Sequence, residues 1–368
     1  MTKKIAVIGA SVGQLPICLK AKEIGIDTIC FAWPDGAVCK DIVDKFFPIS
    51  ILEKDSIVEI CRREKIDGVV SNGSDLTAEI VSYVATQLNL HGILYDDFLK
   101  LRDKQAVRRI TNEIDGLESV GTSLYNGKEP INYPCIVKPV TGASKCGVNY
   151  VDNKDSFNKA IINARSASQN KIMIENYIDG DEISIETISF EGHHFVIQIT
   201  DKENSGPPHF VELSHHQPSM LSTLVKNKIG KVIPQLLDAV KFYNGASHIE
   251  MKVDGANNLF LIEINPRGGG DEISNKLVQL STGFDYVKAM IEVALGSFDM
   301  PVISNKKYSG IYYLCGQRAS RLPFFEKLNN QSWLVEKKFD VSKGLTNATG
   351  NYDRNGYFIY QSESKILI

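Results

Sequence analysis

The sequence predicts an α/β protein, and two patterns carry that expectation. The first hundred residues alternate between short apolar runs and amphipathic helical stretches, the mark of a parallel sheet with crossover helices. From about Cys135 onward, strand-like runs dominate and several are joined by tight turns. The chain has 368 residues, enough for two or three domains with cores of their own. We place the boundaries at 1–97, 98–298 and 299–368, with the middle segment divided at 179/180.

The N-terminal segment is read in order. KIAVIG is a buried strand and GQLPICLKAKEIG the helix after it. DTICFAW, SIVEICRREK, DGVVSNG and DLTAEIVSYVATQLNL repeat the alternation. FLKLRDKQAVRRITNEI reads as one basic helix. YPCIVKPVTGASKCGVNYV is strand, glycine loop, strand, and a helix follows around DSFNKAIINARSAS. KIMIENYI, ISIETISF and HFVIQITD are strands. Gly206, Pro207 and Pro208 mark a polar loop leading into HFVELSHHQPS, which we read as part of that loop. A long helix follows, interrupted near Pro234. GASHIEMKVDGANNLFLIEINPRGGG is a hairpin turning at 255–258, and SNKLVQLSTGFDYVKAMIEVALG a helix. The last seventy residues read as short strands in a small α+β region, with turns at Asn329–Asn330 and Gly350–Asn351.

Composition excludes several functions. The net charge of −3 gives no surface for nucleic acid or anionic membrane. No run is long and apolar enough to span a bilayer. The four apolar residues after Lys3 and Lys4 are too few for a signal peptide. Seven cysteines, an odd number without a CxxC pair, fit reduced thiols and a cytoplasmic location. GASVG is a poor dinucleotide loop, because Ser11 replaces the second glycine and the second strand ends in Phe31, Ala32 and Trp33. The glycine loop near Lys138 also lacks the GxxxxGK[ST] pattern.

The chemistry is concentrated in FLIEINPRGGG. Phe260, Ile262 and Ile264 alternate with Leu261, Glu263 and Asn265, and Arg267 follows. A carboxylate in a buried strand pairs, titrates or binds a metal. A Glu263–Arg267 ion pair closing the strand is one reading. The hairpin also brings Glu250 opposite Glu263, and with Asn265 these make a hard-oxygen set suited to Mg²⁺. Lys138 ends an apolar strand, Lys145 sits in the small-residue loop after it, and Lys104 lies on the basic helix. Such cations and loop N–H groups suit a polyphosphate.

The order of these pieces resembles the ATP-grasp superfamily over roughly residues 1–300. A helix lysine precedes VKP with a glycine loop, then E-x-Y-I-x-G-x-E, then E…E-x-N-x-R. The first segment is similar to the domain that precedes ATP-grasp in biotin carboxylase and carbamoyl-phosphate synthetase. The resemblance implies an ATP-grasp fold behind a Rossmann-like parallel domain. It implies that Lys104 and Lys138 contact ATP phosphates, and that the loop with Ser144, Lys145 and Gly147 closes over them. Cys146 departs from the usual compact loop. Glu175, Asn176, Tyr177 and Ile178 become the hinge strand that meets adenine, with Glu182 near ribose. Glu250, Glu263 and Asn265 hold Mg²⁺, with Mn²⁺ as an alternative ion. Arg267 stabilises the transferred phosphoryl group, and Glu263 and Lys138 complete the catalytic set.

The stretch ITDKENSGPPHFVELSHHQPS is similar to a segment of the L-amino acid ligases of the bacilysin-synthesis type. That likeness makes Glu212 and His215 substrate residues, with Arg267, and places Asp271 in the substrate pocket. The implied activity is ADP-forming joining of a carboxylate to an amine through an acyl phosphate. The alternatives are a carboxyphosphate-type enzyme and a non-catalytic ATP-binding relative. The partners expected are small-molecule carboxylates and amines, with homodimerisation as an option.

Overall fold

The computed structural model describes every residue except Met1, Ile131, Ala143, Ser144, Asn170 and Lys343. The N-terminal alternation forms a four-stranded parallel sheet from β1 (Lys4–Ile8), β2 (Asp27–Phe31), β3 (Lys45–Phe47) and β4 (Gly68–Val70), in the order β3-β2-β1-β4. Helices α1 (Leu15–Glu23), α2 (Lys54–Glu64) and α3 (Asp75–Leu88) complete the crossovers. Strand β3 is three residues long, and its period-two signal is too short to find in the sequence.

The basic helix predicted over residues 98–114 is two helices, α4 (Tyr95–Arg102) and α5 (Lys104–Thr111). Asp103 divides them. Its carboxylate accepts hydrogen bonds from Gln105 N and Ala106 N, an N-cap that starts a new helix. Lys104 is thereby put at the first turn of α5, where it points at the loop after Lys138.

A second four-stranded sheet, all antiparallel, has the order β5-β8-β6-β7. Its strands are β5 (Thr122–Leu124), β6 (Cys135–Pro139), β7 (Asn149–Val151) and β8 (Ile172–Asn176), backed by α6 (Lys154–Ala167). A capping box at Asn153 and Ser156 starts α6.

The remaining strands make one eight-stranded antiparallel sheet. They are β9 (Asp181–Phe190), β10 (His193–Asn204), β11 (Glu212–Gln217), β12 (Gly245–Val253), β13 (Leu259–Asn265), β14 (Tyr308–Leu314), β15 (Leu334–Phe339) and β16 (Gly356–Ser362). Their order is β13-β12-β9-β10-β11-β14-β16-β15, so the C-terminal strands extend the central sheet. Three expectations are corrected here. HFVELSHHQPS contains a buried strand, β11, because its polar side chains find partners across the sheet. Helix α7 (Thr223–Ala239) runs through Pro234 unbroken. The helix predicted after the triple glycine is three pieces: a π-turn at Ile273–Leu277, α8 (Val278–Thr282) and α9 (Tyr286–Ala294). Gly283, in the left-handed region at φ 74°, ends α8.

Alternation along β9 gives the central sheet two unlike faces. Ile183 and Ile185 pack with Ile249 and Met251 against Ile229, Ile233 and Leu236 of α7. Glu182, Ser184 and Glu186 take the opposite face, toward the small sheet. A second core joins the N-terminal sheet to the central one: Ile5, Val7 and Ile17 meet Ile188 and Ala246 through Met290, Ile291 and Val293 of α9.

Gly68 sits at this junction. A Cβ added there would lie 2.5 Å from the carbonyl oxygen of Ala294, and backbone cannot give way as a side chain can. Gly68→Ala is expected to lower stability by about 1–3 kcal/mol, the cost of overpacking. Urea unfolding of the two proteins measures it, and an unchanged midpoint contradicts the packing described.

Candidate functional site

The charged face of the central sheet is laid out in rows by strand register. Asn265, His248 and Glu186 form one row, and Glu263, Glu250, Ser184 and Thr200 the next. Lys252, Glu182, Lys202 and His215 form a third. A bulge in the β10–β11 pairing, where Asn204 meets Glu212 but Glu203 meets Ser214, shifts the alternation. Glu212 and His215, three apart in sequence, consequently join the same cluster of side chains.

The cleft between this face and the small sheet has apolar walls of Val120, Ile136, Val148, Ile178 and Ile262, suited to a flat ring. Tyr150, Tyr177 and Phe210 gather at its edge, with ring centroids 5.1 Å apart for the first pair and 6.2 Å for Tyr177 and Phe210. Lys252 Nζ stands 4.8 Å from the Tyr177 ring and donates to the Ile178 carbonyl at 2.9 Å. Asn176 N and Tyr177 N donate to Gly121 O and Pro134 O, which fixes the hinge strand to its neighbours.

At the start of the hinge, Glu175 lines the inner end of the cleft. It accepts from Arg108 Nε at 2.7 Å and pairs with Lys138 Nζ at 2.5 Å, all three buried. Two cations face one carboxylate, and the pKa directions record the imbalance. Burial raises the Glu175 pKa, but Lys138 and Arg108 outweigh it and bring it down to about 2. Lys138 is also pushed down, first by burial and then by Arg108 and Lys104, against the pull of Glu175. A positive surplus therefore remains for an anion. Lys104 adds to it, donating to Gly142 O at 3.2 Å and pairing with Glu263 at 3.0 Å. Lys145 lies 3.0 Å from Glu212 and donates to Phe210 O. Gly147 takes φ 72°, where a Cβ would strike Ala167 Cβ at 2.7 Å. Ser144 lies outside the described residues. Cys146 is exposed at the cleft wall.

Glu250 and Glu263 are cross-strand partners, as the hairpin reading expected. The Glu263–Arg267 ion pair does not form: Glu263 takes Lys104, while Arg267 Nε donates to Asp75 of α3 at 2.6 Å. Glu250 pairs with Lys202 at 2.5 Å and with His248 Nε2 at 3.3 Å. Burial opposes its charge, but Lys202 and His248 hold it ionised, well below the usual carboxylate range. His248 Nδ1 in turn bonds Glu186, whose other oxygen accepts from Gly269 N at 2.9 Å. This bond accounts for one glycine of the three, since a Cβ on Gly269 would meet Glu186 and His248 at 2.7 Å. Among the described residues, no group of three His, Cys, Asp or Glu could hold a metal unaided. Two carboxylates with the Asn265 amide nevertheless fit Mg²⁺, which takes its other oxygens from phosphate and water.

On the far side, three buried polar atoms have no hydrogen-bond partner: Glu212 Oε2, His215 Nδ1 and Ser184 Oγ. Asp271 is already committed. Arg354 grips it with bonds of 2.7 and 3.0 Å, and His215 Nε2 stands 3.6 Å away. The guanidinium of Arg354 lies 3.6 Å from the Tyr313 ring centre. The sequence reading did not find Arg108, Lys202, His248, Glu186 or Arg354. Polar residues at every second position of β9, β10 and β12 were a signal for the middle three.

Glu175→Gln is expected to cost about 3–5 kcal/mol, because two buried cations lose their carboxylate. The depressed pKa makes this stability fully present above the ordinary value of 4.5 and lost as pH falls toward about 2. Unfolding measured between pH 7 and 3 should show the variant losing less on acidification than the parent. Parallel curves contradict the pairing.

Comparison with known proteins bears on the domain and the fold. Residues 131–276 match the ATP-grasp domain family. Formate-dependent phosphoribosylglycinamide formyltransferase of Methanocaldococcus jannaschii is 22% identical over 302 residues, covering 78% of this chain and 76% of that protein. The L-amino acid ligase of Bacillus licheniformis superposes with a TM-score of 0.78 at 22% identity, over 99% of this chain and 94% of that one. The biotin carboxylase domain of Hydrogenobacter thermophilus 2-oxoglutarate carboxylase, solved with MgADP and bicarbonate, gives 0.76 at 17% identity, over 99% and 87%. The family match and the shared mixed α/β fold lead to one conclusion: this chain carries an ATP-grasp domain, set behind a Rossmann-like parallel sheet.

Proposed function

We propose that the protein is an ATP-dependent ligase that activates the carboxylate of an amino acid as an acyl phosphate, joins it to an amine, and releases ADP and phosphate. The observation that carries this reading is Glu212 Oε2, a buried carboxylate oxygen without a hydrogen-bond donor. His215 Nδ1, on the same strand, is also an orphan, and Lys202 links the Glu212 carboxylate to Glu250. A buried acceptor left unmade is costly, and a substrate ammonium supplies the missing donors. A bicarbonate-type substrate would set an anion against Glu212, so the carboxyphosphate alternative fits less well. The solved relative with MgADP supports the choice of nucleotide and ion.

In this reading Glu250, Glu263 and Asn265 hold Mg²⁺, which supplies charge neutralisation on the phosphates when bound. Lys104 and Lys138 neutralise phosphate oxygens from the side of the small sheet, using the positive surplus that Glu175 leaves. The apolar walls and the hinge strand Glu175–Ile178 hold the base, and Glu182 lies toward the ribose. Lys145 and the loop around Gly147 exclude water. Glu212 and His215 orient the amino acid so that its carboxylate faces the phosphates. Arg267, held by Asp75, offers its remaining donors to the oxygens that gain charge during transfer. Asp271 shapes the pocket indirectly, by fixing Arg354.

A panel of amino acids should include one or more that stimulate release of ADP and phosphate, and a product mass equal to substrate plus amine less water. AMP as the coupled product would sink the acyl-phosphate mechanism. Glu212→Gln should raise the Michaelis constant for the amino acid roughly 100-fold, since a charged hydrogen bond is worth about 1.5–3 kcal/mol. Calorimetry should find its MgADP affinity unchanged, and a lost affinity would move Glu212 to the nucleotide site.

Arg267→Ala should lower kcat at least tenfold with little change in the Michaelis constant for ATP, as expected for a contact that strengthens in the transition state. Asp75→Asn should do the same more weakly, because it only loosens the guanidinium. An Asp75→Asn variant with full kcat shows that this bond does not position Arg267 for transfer.

A further inference from the structure

We propose that Lys202 is a catalytic cation that holds the phosphoryl group as it crosses from the nucleotide to the substrate carboxylate. This proposal rests on the ligase reading. Lys202 lies on β10, in register with Glu182 on β9 and His215 on β11. Its ammonium is buried among three carboxylates, at 2.5 Å from Glu250, 3.1 Å from Glu182 and 3.3 Å from Glu212. Each of the three belongs to a different part of the site: metal, nucleotide and substrate.

That position is informative. A group passing from a metal-bound polyphosphate to a substrate on Glu212 must cross the ground between Glu250 and Glu212. Among the described residues, Lys202 is the cation that pairs with both. Lys145 reaches Glu212 alone, and Arg267 is turned toward Asp75. A metal would engage Glu250, and a substrate ammonium would engage Glu212. Lys202 then keeps Glu182 and has N–H donors free for a phosphoryl oxygen. In a site closed to water such a contact is worth far more than in solution.

The step balances without a proton on Lys202 moving. A carboxylate oxygen of the substrate bonds to the γ-phosphorus. The bond from that phosphorus to the bridging oxygen breaks, and its electron pair leaves with ADP. The amine next attacks the acyl carbon, phosphate departs with the electron pair of the C–O bond, and the amine proton passes to the departing phosphate. Through the first step the ammonium donates to a non-bridging oxygen of the phosphoryl group.

The alternative is that Lys202 only neutralises three acids. Aluminium fluoride, which with ADP and Mg²⁺ mimics a phosphoryl group in transfer, separates the two roles without needing the amino acid. In the parent, aluminium fluoride should tighten MgADP binding at least tenfold by calorimetry. Lys202→Met should bind MgADP as before and lose that increment, and Lys202→Arg should recover part of it. Kinetically, Lys202→Met should lose kcat while keeping the Michaelis constant for ATP. If Lys202→Met fails to fold, Lys202→Gln, which can still donate to the surrounding acids but carries no charge, is read in the same way. An increment that survives in the Met variant overturns the proposal, and so does a parent indifferent to aluminium fluoride. A parent that shows the increment but cleaves ATP with no amino acid overturns the ligase reading instead and leaves the phosphoryl contact standing.

Discussion

Burying charge on one face of a sheet is the constraint on which this molecule depends. Glu182, Glu186, Lys202, Glu212, His248 and Glu250 are carried by adjacent strands and are largely removed from water. A buried polar group without a partner is costly there, and an isolated ion costs several kcal/mol or more. These residues are paired: Lys202 with three acids, His248 with Glu186 and Glu250. The pairing also depends on the register, because a slip of one residue in β9 would put Glu182 and Glu186 into the packing of α7. The apolar face of Ile183, Ile185, Ile249 and Met251 therefore does more than fill a core. It fixes the register that keeps the charges matched.

The same pairing suits the site to the proposed reaction. Pairs such as Lys104 with Glu263 and Lys202 with Glu250 bring groups of opposite chemistry within 3.0 Å of each other before any ligand arrives. In the proposed reaction the acids would be released to a metal and the bases to phosphate, and the exchange would leave neither stranded. Binding by such a swap of partners would avoid the desolvation cost of a bare ion on either side. The orphan atoms Glu212 Oε2, His215 Nδ1 and Ser184 Oγ mark where that internal matching stops.

Much of this was legible in the sequence. The βα alternation gave the parallel sheet, and the IEIN pattern with its hairpin gave the opposed Glu250 and Glu263. What escaped notice was non-local. Nothing local distinguishes Arg108 among the basic residues of its helix, yet α5 brings it to Glu175, 67 residues away. Arg354 reaches Asp271 across 83 residues, so the carboxylate expected to greet a substrate is already paired. β11 was read as a loop because Gly206, Pro207 and Pro208 precede it and its histidines look solvent-bound, yet it is a buried strand of the central sheet. Helix boundaries failed where one side chain or one backbone angle decided them, at Asp103 and at Gly283.

The bond from Arg354 to Asp271 has a consequence for how the protein is made. During synthesis the nucleotide cleft could assemble once β13 has emerged, since its walls and cations all precede Asn265. The substrate side cannot. It needs Asn351, whose side chain caps Glu212 N, and Arg354, which arrives 142 residues after Glu212. On the ribosome, chains grow at roughly 5–20 residues per second, so the half-built site stands open for several seconds. On the proposed reading, a nascent chain would complete its nucleotide cleft before its substrate pocket, and the final strands would bring selectivity last.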